Sequence, residues 1–166
     1  RIDVDNSKQP NSRWYSGSGI YRDVNLWTGK GVYISHDKLR ITTLSVNDDM
    51  AVLEVCAQLK NIIGHGLEAE CLIEIKKDGQ KAASNTQRVV FRSEQMQTVR
   101  VQIPIEQPKK WSPAQPALYE CHITTRFDDE ICDEAVSNFG IRVLALDPVH
   151  GLQINGETVK LRGTCI

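Results

Sequence analysis

Apolar and polar residues alternate with a period of two over several stretches of this chain, and no stretch shows a sustained helical period. In the clearest stretch, 51–60, apolar side chains occupy every second position: Ala51, Leu53, Val55, Ala57 and Leu59. A period of two places successive side chains on opposite faces of a strand, so one face can be buried while the other meets water. The pattern therefore predicts β-strands with a one-sided core.

About seven such stretches lie between Leu39 and Val143, and turns separate them. The turns carry residues that tolerate a left-handed backbone, including Asp78-Gly79 and the acidic run 128–130. We predict an all-β fold, an immunoglobulin-like β-sandwich of about seven antiparallel strands. The Cys-Trp-Cys spacing of antibody domains is missing, so this likeness is architectural.

Local patterns predict details of the fold. The prolines at 104, 108, 113 and 116 surround Trp111 and predict a long connection that cannot be helical. A polar stretch at 82–87 places the start of the returning strand near 89–91, and a later strand is expected to continue through 139–143. Asn-Gly at 155–156 predicts a hairpin over 152–161.

Composition and charge argue against several classes of function. The 20 basic and 21 acidic residues give a net charge of −1 with no basic block, so we expect no nucleic-acid partner. Apolar runs are far shorter than the roughly 20 residues of a membrane helix, so no membrane partner is expected either. The 5 cysteines lack the spacing of a metal site, which predicts no metal and no cofactor, and favours free thiols over a disulfide.

The residues offer no recognisable catalytic machinery. The 4 histidines lie far apart, where surface exposure or a local hydrogen bond is the expected role. Acidic residues fall in turns or on exposed strand faces, so none forms the pair about 5–9.5 Å apart that glycoside chemistry requires. The aromatic and basic stretch 11–24 fits either a ligand-facing loop or an edge strand that packs on a neighbouring surface. The residues alone indicate a non-catalytic β domain.

Four blocks of the chain carry a family resemblance. Residues 13–24 read RWYSGSGIYRDV, 111–119 read WSPAQPALY, 133–142 read DEAVSNFGIR and 151–163 read GLQINGETVKLRG. In this order and spacing they resemble the conserved blocks of glycoside hydrolase family 2, which includes β-galactosidases, β-glucuronidases and β-mannosidases. The four blocks cover the chain nearly end to end.

The resemblance implies a place within a longer enzyme, so we expect both ends of the chain to be internal to it. By that likeness residues 1–26 are the end of an N-terminal sugar-binding jelly roll and a linker. Residues 27–146 are the immunoglobulin-like sandwich, and 147–166 are a hairpin that leads into a catalytic (β/α)8 barrel. The family's two catalytic glutamates lie in that barrel, so no catalytic residue is expected in this chain. The implied parent is a retaining β-glycosidase, a β-galactosidase acting on terminal β-linked glycosides, and this piece alone is expected to be inactive.

Arg13 and Trp14 are the candidate substrate-proximal residues. Some family members bring a carboxylate from this side near the sugar pocket, whereas Asn11-Ser12-Arg13 carries no acid. We also expect residues 1 to about 16, separated from the jelly roll, to be loosely ordered or packed against a neighbouring copy.

Two function classes stay open. In the first, the chain is a structural spacer whose partners are the jelly roll and barrel of the same protein. In the second, it is an independent carbohydrate-binding module, which typically presents a row of exposed aromatics on one sheet face. Aromatics are 6% of the residues, and all three tryptophans (Trp14, Trp27 and Trp111) fall in connections, which favours the spacer. The sequence leaves open a homo-oligomeric parent and a periplasmic, secreted or cytoplasmic location.

Overall fold

The computed structural model describes residues 1–5, 7, 17–26, 28–92 and 95–163. Within them lie eleven strands and one short 3-10 helix at His36–Lys38. The strands are β1 Val32–Ile34, β2 Arg40–Val46, β3 Met50–Asn61, β4 Leu67–Lys77, β5 Gln80–Phe91, β6 Met96–Glu106, β7 Tyr119–Phe127, β8 Glu130–Phe139, β9 Leu144–Asp147, β10 Gly151–Ile154 and β11 Glu157–Thr158.

Two antiparallel sheets build the main body. In the first, β3 is central and pairs with β6 along one edge, while β2 and then β1 share its other edge. The second sheet has the order β5-β4-β7-β8. Seven long strands, β2 to β8, therefore form the two layers, which confirms the predicted all-β, immunoglobulin-like sandwich.

The core lies between the two layers and follows the alternation of the sequence. Burial alternates along all 12 residues of β3, and the inward side chains of the two central strands β4 and β7 are fully buried at Ile73, Ile75 and Ile123. Each such side chain stabilises the fold by about 1.5–3 kcal/mol relative to an exposed position. The alternation fixes which face of each strand is inside, since a slip of one residue would expose the whole apolar set.

The turns form as the sequence predicts. Asp78 and Gly79 have φ of +52° and +77°, and Asp128 and Asp129 have φ of +50° and +62°. These pairs of left-handed residues give two-residue turns that match the twist of the flanking strands.

Three local predictions are wrong. The polar stretch 82–87 does not delay the returning strand, because β5 runs unbroken from Gln80. Among the described strands β5 pairs only with β4, so it is an edge strand. Its first residues, which include the polar stretch, can therefore pair with β4 without carrying many apolar side chains. Pro104 lies within β6, another edge strand, where its missing N–H breaks no ladder. The strand expected through 139–143 ends at Phe139.

The C-terminal residues form a small separate sheet of order β11-β10-β9. Its β10–β11 turn has Asn155 at φ +53° and Gly156 at φ +85°, which confirms the Asn-Gly hairpin. The hairpin is shorter than 152–161, and β9 adds a third strand by pairing Leu146 with Leu152. None of the described helical residues forms a segment long and apolar enough to cross a bilayer.

Candidate functional site

The predicted substrate-proximal residues, Arg13 and Trp14, lie outside the described residues, as do 6 and 8–16 of the segment expected to be loosely ordered. The described continuation, 17–26, forms no strand. Its apolar side chains are highly exposed, at 62% for Ile20, 78% for Val24 and 90% for Leu26.

The incoming strand β1 is fastened to β8 by one carboxylate. Oδ2 of Asp133 accepts the Ile34 N–H at 2.8 Å, and Oδ1 accepts the Glu134 N–H at 2.9 Å. The backbone adds a bond from the Lys30 N–H to the Cys132 carbonyl at 2.9 Å. Because β1 pairs with β3 of the first sheet, these bonds tie the first sheet to the last strand of the second. We call this group the incoming clamp.

A buried hydroxyl completes the incoming clamp. Thr125 on β7 is fully buried, and its Oγ1 donates to the Val32 carbonyl of β1 at 2.7 Å. A buried hydroxyl is costly without a partner, so this bond both satisfies Thr125 and holds β1 in the seam between the sheets.

The chain leaves the sandwich through a second group, which we call the outgoing clamp. The backbone N–H of Trp111 donates to the Ile141 carbonyl at 2.8 Å, and the Arg142 guanidinium lies 4.7 Å from the centre of the Trp111 ring. The Asn155 side chain reaches the same residue, since its Nδ2 donates to the Trp111 carbonyl at 2.9 Å. Gly140 packs so closely on Trp111 that a Cβ there would lie 2.7 Å from the Trp111 Cβ and Cγ.

Tyr119, at the start of β7, orders the connection that carries Trp111. Its hydroxyl accepts the Lys109 N–H at 2.9 Å, and its ring stacks on Phe139 with the ring centres 5.8 Å apart. Immunoglobulin-like domains use a tyrosine near the start of a strand in the same way, bonding its hydroxyl to backbone a few residues upstream. The connection between β6 and β7 is therefore held in place by Tyr119, the first residue of the strand that follows it.

One clamp holds β8 near its start, and the other holds residues 140–142, which directly follow its end. Asp133 lies near its start and Phe139 at its end, six residues apart, which is about 20 Å in an extended strand. The motif DEAVSNFGIR thus contributes a carboxylate to one clamp, and a glycine and an arginine to the other. Sequence reasoning identified this motif by resemblance but gave no physical role to its residues.

Three of the described histidines make local hydrogen bonds. No three His, Cys, Asp or Glu side chains within them come together as a metal site. His122 bonds to Glu120 on its own strand at 2.8 Å, and His65 and His150 bond within their own turns. The four described cysteines are free thiols, and burial raises the pKa of both Cys71 and Cys121 to about 12.

The described aromatic residues do not form a sugar-stacking row. Phe91 and Tyr119 are buried, and the half-buried aromatic residues are Tyr33, Trp111, Phe127 and Phe139. Tyr21 is highly exposed, but it lies in the segment 17–26 and not on a sheet face.

Comparison with known proteins identifies the family. The family profile of the Glycosyl hydrolases family 2 matches residues 32–142, which extend from the first residue of β1 to Arg142 of the outgoing clamp. The chain belongs to this family. Membership in glycosyl hydrolase family 2 confirms the resemblance carried by the four sequence blocks.

Relatives within glycosyl hydrolase family 2 are much longer proteins. β-Galactosidase BoGH2A of Bacteroides ovatus is 31% identical over 176 residues, which cover 99% of this chain and 20% of the relative. A β-glucuronidase of Formosa agariphila is 25% identical, over 87% of this chain and 16% of the relative. The crystal structure of a β-glycosidase from Bacteroides vulgatus superposes with a TM-score of 0.76 at 27% identity, over 98% of this chain and 20% of that one. The chain thus spans a fifth or less of each of these three proteins.

Proposed function

We propose that this chain is a non-catalytic sandwich within a retaining β-glycosidase, and that it sets the distance and orientation between a sugar-binding domain and a catalytic barrel. The observation that carries the proposal is the placement of the two clamps at opposite ends of β8, one on Asp133 within the strand and the other on residues 140–142 directly after it. One clamp holds the strand by which the chain comes in, and the other holds the segment by which it leaves. A spacer needs this rigid connection between its two ends.

The proposed division of the chain follows from the same likeness. Residues 1–26 belong to the end of the jelly roll and a linker, 27–146 to the sandwich, and 147–166 to the lead-in of the barrel. In this division β9 crosses the second boundary, because Leu144–Asp147 pairs with β10. The C-terminal sheet is then the join between the sandwich and the barrel.

Exposed apolar side chains supply surfaces for the neighbouring domains. On the incoming side they are those of 17–26. On the outgoing side, Leu144 and Leu146 lie on one face of β9 and are 57% and 82% exposed, and Val149 and Leu161 are 85% and 77% exposed. A jelly roll and a barrel covering these two sets would remove apolar area from water, which stabilises the assembly.

The substrate of the whole enzyme is proposed to be a terminal β-galactoside. Support comes from the name of the Bacteroides ovatus relative, whereas the Formosa agariphila relative is called a β-glucuronidase. The test compares nitrophenyl β-galactoside with nitrophenyl β-glucuronide as substrates of the full-length enzyme and of the 166-residue chain. We expect the galactoside to be hydrolysed by the full-length enzyme and neither substrate by the chain alone. Turnover by the chain alone would overturn the non-catalytic role, and preference for the glucuronide would overturn the substrate.

Arg13 and Trp14 are proposed to line the sugar pocket of the whole enzyme. A guanidinium and an indole can donate hydrogen bonds to sugar hydroxyls, and the indole can stack on a sugar ring. We expect Arg13→Ala to raise KM with little change in kcat. This is the result when the lost contact stabilises the bound substrate and the transition state equally. Unchanged kinetics would reject the assignment.

The spacer and the carbohydrate-binding module can be separated directly. A glycan array probed with the 166-residue chain should show no binding if the chain is a spacer. Binding that competes with free sugar would instead favour the module.

A further inference from the structure

We infer that Asn155 is a positioning residue: its side-chain amide fixes the orientation of the C-terminal sheet, β9 to β11, on the sandwich. The inference deepens the proposed spacer, and its consequence for catalysis rests on that proposed function. The geometric part stands on this chain alone.

Asn155 does more than its turn requires. At φ +53° it occupies the first left-handed position of the hairpin, which asparagine, aspartate or glycine would fill. Only asparagine of these three also offers a donor and an acceptor on one planar group. Here the donor reaches the Trp111 carbonyl at 2.9 Å, and the acceptor takes the Val143 N–H at 3.0 Å. The Asn155 N–H returns a bond to the Val143 carbonyl at 2.9 Å.

The bond to the Trp111 carbonyl connects the C-terminal sheet to a part of the chain that no strand pairing among the described residues joins to it, whereas the two bonds to Val143 continue the β9–β10 pairing. Among the described strands, β9, β10 and β11 pair with one another and with no strand of either sandwich sheet. The covalent link is the short segment from Gly140 to Val143, which lies outside any strand. A short link of this kind lets the C-terminal sheet rotate against the sandwich unless side chains prevent it. The Asn155 amide bonds both to Val143, the last residue of the link, and to Trp111.

Burial beside the amide supports the same conclusion. Ile154, the residue before Asn155, is 8% exposed, whereas its cross-strand partner Leu144 is 57% exposed. The sheet therefore meets the rest of the chain at its Asn155 end and leaves the β9 side open. Loss of the hydrogen bonds of the Asn155 side chain should therefore let the C-terminal sheet rotate about this point of contact.

Two substitutions keep the turn and remove different parts of the amide. Asn155→Gly removes donor and acceptor, and Asn155→Asp keeps the acceptor for Val143 but places a carboxylate oxygen against the Trp111 carbonyl. Asn47→Gly is the matched control. Asn47 also makes two side-chain hydrogen bonds in a turn, to the N–H groups of Asp49 and Met50, but both are local.

The measurement is the alignment of backbone N–H vectors by residual dipolar couplings in the 166-residue chain. In the wild-type chain and in Asn47→Gly, couplings from the sandwich and from the C-terminal sheet should fit one alignment tensor. In Asn155→Gly and Asn155→Asp, the two sets should need separate tensors. One common tensor in both Asn155 variants would overturn the inference, and either variant suffices if the other does not fold.

A second measurement separates this inference from the proposed function. In the full-length enzyme, Asn155→Gly should lower kcat/KM by about ten- to a hundredfold relative to Asn47→Gly, as expected when groups are misplaced by about 1 Å. Separate tensors with unchanged hydrolysis would uphold the role of Asn155 and overturn the spacer. A common tensor overturns the role of Asn155 whatever the hydrolysis shows.

Discussion

Replacing Gly140 with alanine tests how tightly the outgoing clamp is packed. A Cβ at this position would lie 2.7 Å from the Trp111 Cβ and Cγ and 2.8 Å from its Cδ1. Carbon atoms in favourable contact are about 3.5–4.0 Å apart, so the overlap is close to 1 Å at three atoms. Gly140 is not among the glycines with left-handed φ, so the contact itself decides the effect.

Trp111 has little freedom to relieve this overlap. Its N–H and carbonyl are bonded to Ile141 and Asn155, and Arg142 lies over its ring. Overpacking of a fixed site costs about 1–3 kcal/mol of unfolding free energy. For a chain of this length, a loss of about 2 kcal/mol corresponds to a fall of about 4–8 °C in Tm.

The assay is urea unfolding followed by circular dichroism, with two comparisons. Gly163→Ala is the matched control, because a Cβ at Gly163 would have no atom within 4 Å and the φ there is ordinary, so its unfolding free energy should change by less than about 0.5 kcal/mol. In a Trp111→Gly background, Gly140→Ala should lose most of its effect, since the clashing Cβ, Cγ and Cδ1 atoms are all gone. An equal loss with and without the Trp111 ring would refute the reasoning.

Three further predictions concern single side chains. Asp133→Ala leaves the Ile34 N–H without its acceptor and should lower the unfolding free energy in urea by about 1–3 kcal/mol, while Asp133→Asn should recover part of this loss. Burial raises the pKa of Cys71 to about 12, so iodoacetamide at about pH 8 should label the half-buried Cys56 and spare Cys71 until urea is added, as read by mass spectrometry. Hydrogen bonds from the backbone of its own turn hold the pKa of Asp147 below its ordinary 3.8, so this carboxylate stabilises the folded state above about pH 4, and that contribution is lost as the pH falls through the lowered value. An NMR titration of the Asp147 carboxyl carbon checks the last prediction, and a midpoint at or above 3.8 contradicts it.

The sequence predicts the layers of this fold well because each long strand carries its own signal. The alternation around Leu53, Ile73 and Ile123 is local, and it decides which face of the strand is buried. The turn residues Asp78 and Asn155 are local signals too, since their left-handed backbone depends on the residue type and its neighbour. Edge strands are predicted less well, because β5 is held by its partner and not by its own apolar pattern.

The clamps could not be predicted from the residues alone. Asp133 and Thr125 bond to backbone groups 99 and 93 residues away, and Asn155 bonds to one 44 residues away. Nothing local marks an aspartate, a threonine or an asparagine for such a partner, because the bond depends on which strands the folded sandwich brings together. The turn chemistry of Asn155 predicts its hairpin but not its bond to Trp111, and the family resemblance singled out 133–142 and 151–163 without a physical reason for these bonds. The substrate-proximal assignment of Arg13 and Trp14 stays a prediction.

The position of the clamps at opposite ends of β8 also determines how the domain responds to tension. If the chain links two domains as proposed, a pull on them reaches β8 near its two ends, so the tension runs along the strand. Nine residue pairs join β8 to β7, and tension along the strand loads their hydrogen bonds together in shear. Had both clamps held one end of the strand, the same pull would peel those pairs apart one at a time. The arrangement predicts that the sandwich resists extension most strongly along the direction of β8.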